Sequence, residues 1–310
     1  MAALESLPVS AGAKRASLDP VTKAALARQR RRKRRLRKLL LTLLVAALGV
    51  LFFVPFLWML STSLKFDTEV YRIPPTWIPQ TVRWANYPEA LTYVPFGRYF
   101  GNTMFYAAFT VAGTVFSSAL VAYSFSRLQW KQRDLVFGLI LATMMVPYQV
   151  TMIPQYLIFK RLGWLNTYLP MIVPSYFGMP YFIFMMRQFF MTIPMELSDA
   201  ARIDGCTEFR IFTTIILPLA KPSLAAVGLF RFMDCWNDYM GPLIYLRDTK
   251  KYTVALGLQY LRQYGNAASA EQMWPRLMAA STVVTVPIML LYFFTQRTFV
   301  EGIALTGVKG

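Results

Sequence analysis

The sequence predicts an all-α integral membrane protein with six transmembrane helices, and three observations support this prediction. Hydrophobic residues make up 56% of the 310 residues and charged residues only 15%, whereas a soluble domain carries about 25% charged residues. Uncharged apolar runs recur along the chain, and about 20 such residues are enough to cross a hydrocarbon core. Backbone polar groups must be satisfied internally within that core, so each run is predicted to be a helix.

Basic residues are concentrated before the first apolar run. The net charge is +18, and nine of the 33 Lys and Arg residues lie in residues 28–38. Such a block is typical of nucleic-acid binding, but here it directly precedes the uncharged run Leu39–Leu60. A basic cluster beside a span favours the cytoplasmic side, where anionic lipid attracts it. We therefore expect the lipid bilayer, and no nucleic acid, as the partner of this block.

The predicted spans cover residues 39–60, 101–126, 135–159, 168–186, 212–236 and 277–296. The fifth is the least regular, because it contains Lys221, Arg231 and Asp234. These charges lie towards its two ends, where long side chains reach the interface. An even number of spans places both termini on one side, which the basic block predicts to be the cytoplasm. Residues 1–38 are predicted to be a disordered cytoplasmic segment, and residues 297–310 a cytoplasmic tail.

The composition also excludes several kinds of active site. Histidine is absent and there are two cysteines, so the chain alone cannot build a Ser-His-Asp triad or an imidazole metal site. We expect no metal, no cofactor and no catalytic activity. An ion-coupled secondary transporter is the main alternative among membrane proteins. It requires an ionisable relay near the midplane of the bilayer, and five of the six predicted spans contain no acidic residue.

One charged segment interrupts the apolar pattern, "DAARIDGCTEFRIFTTIILP" at residues 199–218. Thr192 and Thr207 are candidate N-caps, and Gly205 is suited to a left-handed helix stop between two short helices. From the residues alone, either a rigid protrusion or an ordinary connector between spans fits this pattern.

The spacing Asp-Ala-Ala, three residues, Gly205, nine residues, Ile215, one residue, Leu217-Pro218 resembles the EAA loop of ABC importer permeases. The family pattern begins with Glu, and Asp199 keeps its charge on a shorter side chain. The stretches "MMVPYQVTMIPQYLIFKRLGWLNTYLPMIVPS", "WNDYMGPLI" and "QRTFVEGIALTGVKG" resemble the second permease subunit of maltose-type carbohydrate importers. The resemblance extends from about residue 39 to the end of the chain.

This resemblance implies a type I ABC importer permease fold, with a permease domain at residues 39–296 and cytoplasmic coupling helices at residues 192–212. The implied function is ATP-driven import of a carbohydrate or related polyol across a bacterial or archaeal cytoplasmic membrane. The implied partners are a second homologous permease, two ATP-binding cassette ATPase subunits and an extracellular solute-binding protein. The chain contains no Gly-Lys dipeptide, so it has no phosphate-binding loop of its own.

The resemblance also assigns candidate site residues. The residues expected to couple to the ATPase are Glu196, Asp199, Ala200, Ala201, Gly205, Ile215, Leu217 and Pro218. The tail residues expected to reach towards the ATPase are Gly307, Lys309 and Gly310. Polar residues near membrane depth are candidates for a pathway or gate, namely Asp234, Trp236, Asn237 and Asp238. Position in the chain suggests contact with the binding protein for Tyr260, Gln263, Tyr264 and Asn266. Because the partner permease supplies most sugar contacts in this family, packing or gating is the preferred role for the Asp234–Asp238 group.

Overall fold

The computed structural model describes the backbone of residues 20–268 and 273–307, and the side chains of Gln29 and of residues 31–263 and 273–296. Across these residues the structure is helical and contains no strand. Four helices are long and apolar enough to cross a membrane, and the number rises to six if each of two bent helix pairs forms one span. The predicted all-α fold is therefore confirmed for the described part of the chain.

Helix α1 covers Pro20–Ser63, a length of 44 residues. Residues 20–38 are therefore helical where the sequence predicted disorder, and residues 1–19 lie outside the described part of the chain. The difference has a physical reason. Ala, Leu, Gln, Lys and Arg are strong helix formers, and extending an existing helix requires no new nucleus. Contacts divide the chain into two units after Leu57, so most of α1 belongs to a unit of its own.

The loop after α1 carries two short helices, α2 (Asp67–Val70) and α3 (Asn86–Tyr93). The buried Asn86 side chain donates hydrogen bonds to the carbonyl oxygens of Ser63 and Lys65, at 2.9 and 2.8 Å. Such satisfied buried polar groups order the loop, in agreement with its proline- and aromatic-rich composition.

Twelve further helices follow within the described residues. They are α4 (Phe96–Arg127), α5 (Arg133–Thr143), α6 (Tyr148–Arg161), α7 (Leu169–Ile172), α8 (Pro180–Phe190), α9 (Glu196–Ile203), α10 (Glu208–Ile211), α11 (Leu217–Leu219), α12 (Lys221–Asn237), α13 (Met240–Tyr245), α14 (Val254–Ala268) and α15 (Trp274–Gly307). A 3-10 turn at Val173–Phe177 joins α7 to α8, and a π-helix at Phe212–Ile216 joins α10 to α11.

Helix α4 is the central helix of the second unit and packs against both α8 and α12. Its buried face is rich in small and hydroxyl side chains, which let neighbouring helices approach closely inside a membrane. Gly113 shows how close this approach is. A Cβ atom at this position would lie 2.5 Å from Oγ of Ser175, which belongs to the 3-10 turn between α7 and α8. A larger residue would therefore force α4 away from that turn.

Two of the apolar segments are bent. Helices α5 and α6 meet at 93° across a break that contains Pro147, and the α10–α11 segment meets α12 at 78° next to Ala220. Proline lacks the N–H group that would continue a helix through the break. Pro222, in the first turn of α12, occupies a position where no such donor is needed. The bends therefore follow from the positions of the prolines.

Helix α4 connects the two ends of the second unit. Its last residue, Arg127, contacts the connection between α8 and α9, whereas Asn102 near its start donates to the carbonyl oxygens of Lys250 and Tyr252. We call these the α9–α10 end and the α13–α14 end. At the second end, α14 continues through Gly265 and Asn266, two residues that locally favour a turn. Packing of α14 against α4 and α15 favours helix over the local turn preference.

Candidate coupling segment and transport cavity

The connection between α9 and α10 is a Schellman motif built on Gly205. The Cys206 N–H donates to the Ala201 carbonyl oxygen at 2.9 Å, and the Gly205 N–H donates to the Arg202 carbonyl oxygen at 3.0 Å. Gly205 has a φ of +78°, in the left-handed region that favours glycine. The predicted left-handed stop at Gly205 is confirmed, and the turn is a fixed structure.

The two threonines predicted as caps behave differently. The Thr207 hydroxyl accepts a hydrogen bond from the Arg210 N–H at 3.4 Å, so Thr207 caps α10 as predicted. The prediction for Thr192 is wrong, because its hydroxyl donates to the Phe189 carbonyl oxygen at the end of α8. Helix α9 begins three residues later than that prediction requires, and its N-cap position is Met195.

Arg202 links the two short helices electrostatically. Its guanidinium donates to Asp199 Oδ1 at 2.7 Å and to Glu208 Oε1 at 2.6 Å. The hydrogen bond to Glu208, helped by the neighbouring carboxylate of Asp199, raises the pKa of Arg202. The Tyr123 hydroxyl donates to Glu208 Oε2 at 2.6 Å. Because Tyr123 belongs to α4, this chain of hydrogen bonds attaches the short helices to the central membrane helix.

A second attachment is made by Arg127, which was not among the predicted site residues. Its side chain is 1% exposed. The guanidinium donates to the carbonyl oxygens of Phe190 and Ile193, and to that of Pro194 at 3.3 Å. These carbonyls form the turn that leads from α8 into α9. The sequence signal is a lone arginine at the end of an uncharged run, but the residues that it contacts are more than 60 positions away.

The structure separates the residues expected to couple to the ATPase into exposed and buried groups. Those exposed are Glu196, Asp199, Ala200, Gly205 and Pro218, and those partly buried are Ile215 and Leu217. Ala201 is buried in the same apolar core as Phe212 and Ile216, so its side chain packs α9 onto the membrane helices. Two apolar residues outside the predicted set are far more exposed: Ile203 at 87% and Phe209 at 66%.

A cavity of about 650 Å³ lies near the C-terminal end of α12. The described residues that line it are Tyr106, Tyr148, Gln155, Pro170, Met171, Pro174, Met179, Phe230, Arg231, Met233, Asp234, Asn237, Asp238, Met240, Gly241 and Tyr245. Three of the four predicted pathway residues, Asp234, Asn237 and Asp238, are therefore brought together. Arg231 approaches Asp234, with 3.8 Å between Nη1 and Oδ2.

Asp238 and Trp236 have structural contacts. The Asp238 carboxylate accepts hydrogen bonds from the Tyr106 hydroxyl and the Gly241 N–H, both at 3.0 Å, and so connects α12 with α4 and α13. Trp236 is buried, and its ring lies 5.6 Å from that of Phe100 and 5.7 Å from that of Phe232. The side chain of Trp236 does not line the cavity, so it offers no stacking face to a ligand there.

The remaining candidate residues lie on α14 and in the tail. Tyr260 is partly buried and its ring packs 5.8 Å from that of Tyr252, whereas Gln263 is exposed. The side chains of Tyr264 and Asn266 lie outside the described residues, as do Lys309 and Gly310. Gly307 is the last residue of α15. Among the described residues, no group of three or more Cys, Asp or Glu side chains is placed to hold a metal ion.

Comparison with known proteins identifies the class of protein that this fold and these sites define. Residues 113–304 match the family described as binding-protein-dependent transport system inner membrane component. The match covers more than half of the chain. The protein belongs to this family of non-catalytic ABC importer permease subunits and is a multi-pass membrane protein that operates with an ATPase and a solute-binding protein. This membership excludes the alternative of an ion-coupled secondary transporter.

Individual relatives are similar over most of their length. The chain is 35% identical to the arabinooligosaccharides transport system permease protein AraQ of Halalkalibacterium halodurans, covering 83% of this chain and 91% of that protein. It is 32% identical to the sn-glycerol-3-phosphate transport system permease protein UgpE of Pectobacterium atrosepticum, covering 84% and 93%. A crystal structure of a bacterial ABC transporter involved in import of the acidic polysaccharide alginate has the same fold, with a TM-score of 0.73, 23% identity and 86% and 97% coverage.

Proposed function

We propose that this chain is the carbohydrate-conducting permease of an importer in which α9 and α10 form the docking element for the ATPase. The relatives named for sugar and polyol substrates support the carbohydrate class. The observation that carries the proposal is the rigid protrusion at residues 196–211. Exposed apolar side chains at Ile203 and Phe209 provide a surface for a partner, while Arg202 and Arg127 attach that surface to the membrane helices.

In the proposed assembly, this chain pairs with a second homologous permease, and two ATPase subunits bind on the cytoplasmic side. An extracellular solute-binding protein delivers the ligand. We place the α9–α10 end in the cytoplasm of a bacterial or archaeal cell, with residues 28–38 and the tail on the same side. The basic block supports this orientation, since positively charged segments are retained on the cytoplasmic face. Gly307, Lys309 and Gly310 are proposed to reach towards the ATPase. Contact with the binding protein is proposed for Tyr260, Gln263, Tyr264 and Asn266.

The assembly is tested by extracting the tagged chain from its native membrane in a mild detergent and identifying the proteins that copurify. We expect one other permease and two copies of an ATP-binding cassette ATPase for each copy of this chain. Recovery of the chain alone or as a homodimer, together with transport that requires no ATP, would contradict the proposed assembly.

Asp199→Lys is expected to abolish ATP-dependent uptake while leaving the protein in the membrane. The substitution replaces the 2.7 Å ion pair with Arg202 by repulsion between two cations, and it places a cation in the first turn of α9, where the helix dipole disfavours it. Loss of this exposed pair costs only about 0–1 kcal/mol of folding stability. Uptake of labelled sugar and the amount of inserted protein are measured together in reconstituted vesicles.

Asp134→Lys provides the matched control, because Asp134 is also exposed and pairs with two arginines at the same end of the second unit, Arg133 at 3.1 Å and Arg187 at 3.6 Å. It is expected to retain uptake. Equal loss of uptake in both variants would show that reversing any exposed charge at this end is harmful, and would remove the specific role of Asp199.

A further inference from the structure

The cavity beside α12 has a polar wall whose chemistry indicates a class of ligand. Arg231 and Asp234 are three residues apart and share one face of α12, and Asp238 follows directly after the helix and lines the same cavity. Asn237 lies on the edge of the same face and also lines the cavity. Charged side chains at membrane depth face protein or water-filled space, because exposure to lipid is costly. This wall therefore belongs to a ligand pathway or to a protein contact.

The polar residues differ in how completely the protein satisfies them. Asp238 accepts from both Tyr106 and Gly241, so its carboxylate is used in packing. The Asp234 side chain is 57% exposed, and among the described residues its one ion pair, with Arg231, is long at 3.8 Å. The buried Nε of Arg231 has no hydrogen-bond partner among the described residues. Asp234 thus retains acceptor capacity for a ligand, and the guanidinium of Arg231 lines the same cavity.

An acceptor next to a donor suits a hydroxyl group, which both donates and accepts hydrogen bonds. The charged lining residues are one cation, Arg231, and two carboxylates, Asp234 and Asp238, so the wall carries one net negative charge. A phosphate or carboxylate ligand would be repelled by this charge. The lining also includes the half-exposed ring of Tyr148, and an aromatic face packs against the C–H face of a sugar ring. The volume of about 650 Å³ is typical of small-molecule sites.

We propose that this cavity binds an uncharged saccharide directly, with Asp234 as the principal hydrogen-bond acceptor, and discriminates against phosphorylated and acidic sugars. The inference rests on the proposed function, since it assigns a substrate class to the pathway of the same importer. It also gives this chain a direct role in substrate contact, whereas packing or gating was the role expected for these residues from sequence.

The test uses the complete importer complex purified in detergent without its solute-binding protein, so that the selectivity of that protein does not contribute. Equilibrium dialysis measures binding of neutral gluco-, xylo- and arabino-disaccharides, and of their phosphorylated and uronate counterparts. We expect at least one neutral disaccharide to bind about tenfold more tightly than its charged counterparts. Asp234→Asn should weaken that binding by about tenfold, because hydrogen bonds to a charged group are about twice as strong as neutral ones.

Asp134→Asn removes the same charge at the α9–α10 end and should leave saccharide binding unchanged. Stronger binding of a charged sugar, absence of binding by every neutral disaccharide, or identical binding by wild type and Asp234→Asn would each overturn the inference. ATPase activity stimulated by the binding protein is measured on the same preparations. Its absence in wild type would refute the proposed function, whereas its presence with unchanged saccharide binding in Asp234→Asn would refute the cavity assignment alone.

Discussion

Gly205→Pro is expected to abolish coupled transport while leaving the protein folded and inserted. Gly205 has a φ of +78°, which proline cannot adopt because its ring fixes φ near −65°. The substitution also removes the N–H that donates to the Arg202 carbonyl oxygen. The combined cost of about 3 kcal/mol or more falls on one exposed turn, so we expect the α9–α10 protrusion to reorganise without loss of the membrane core. ATPase stimulation and sugar uptake in vesicles measure the effect.

Gly163→Pro offers an unusually close control. Gly163 also ends a helix in a Schellman motif, with a φ of +71° and hydrogen bonds from Gly163 to Lys160 and from Trp164 to Phe159. It differs from Gly205 in lying outside the α9–α10 end, after α6. The same backbone strain is therefore introduced at a position without a proposed role in docking, and coupling should persist.

Gly205→Asn should retain most transport, since Asn tolerates the left-handed conformation. Normal uptake by Gly205→Pro would count against the docking role.

Arg127→Met is expected to cause the second large loss, in both stability and coupling. The guanidinium is buried and donates to the carbonyl oxygens of Phe190, Ile193 and Pro194. Methionine preserves much of the volume but removes the donor that these three carbonyls share, and among the described residues only that of Phe190 keeps another, the Ile193 N–H, so we expect a cost of about 3 kcal/mol. The connection from α8 to α9 would then lose its attachment to α4. Thermal unfolding in detergent and ATPase stimulation by the binding protein measure the two effects.

Arg127→Lys distinguishes the effect of the hydrogen bonds made by the guanidinium from the effect of its positive charge. A lysine carries the same charge, but its single ammonium cannot reproduce the fork of donors that reaches three carbonyls. We therefore expect this variant to recover part of the thermal stability and little of the coupling. If Arg127→Lys and Arg127→Met both behave as wild type in the ATPase assay, the connection is held by other contacts and Arg127 has no part in positioning α9.

Helix α4 links the cavity to the α9–α10 protrusion through hydrogen bonds at both of its ends. Tyr106 contacts Asp238 beside the cavity, and Tyr123 contacts Glu208 at the protrusion. The two tyrosines are 17 residues apart, which corresponds to about 25 Å along a helix. A second connection runs from α10 through the π-helix and α11 into α12. The cavity residues lie near the C-terminal end of α12. Movement of the protrusion would therefore act on the cavity through the straight path of α4 and the bent path from α10 to α12.

Much of this arrangement was predictable because the bilayer imposes strong local rules. Long apolar runs can satisfy the hydrogen bonds of their backbone only as helices. The helix stop at Gly205 and the helix cap at Thr207 depend on residues no more than a few positions away, so they could be predicted without knowledge of the tertiary fold. The same reasoning failed at Thr192. Its hydroxyl had two possible backbone partners, and the carbonyl oxygen of Phe189 behind it was favoured over the start of α9.

Tertiary packing decided the features that the sequence did not predict. Trp236 lies two residues after Asp234, and that rotation around α12 turns its ring into the core while Asp234 faces the cavity. Ala201 is buried for the same reason, one position after the exposed Ala200. Arg127 reaches carbonyls more than 60 residues away, and nothing in the sequence around Arg127 specifies such distant partners. Residues 20–38 are a different case, because local helix preference and not tertiary packing extends α1 through them.

The central claim, that the α9–α10 protrusion docks on the ATPase, is tested most directly by site-specific photo-crosslinking in native membranes. A photoreactive amino acid replaces Ile203, which is 87% exposed on the protrusion, or Ile78, which is 80% exposed in the loop between α2 and α3. We expect the probe at position 203 to form an adduct with an ATP-binding cassette ATPase, and the probe at position 78 to form none. No ATPase adduct from position 203, or an ATPase adduct from position 78, would contradict the account.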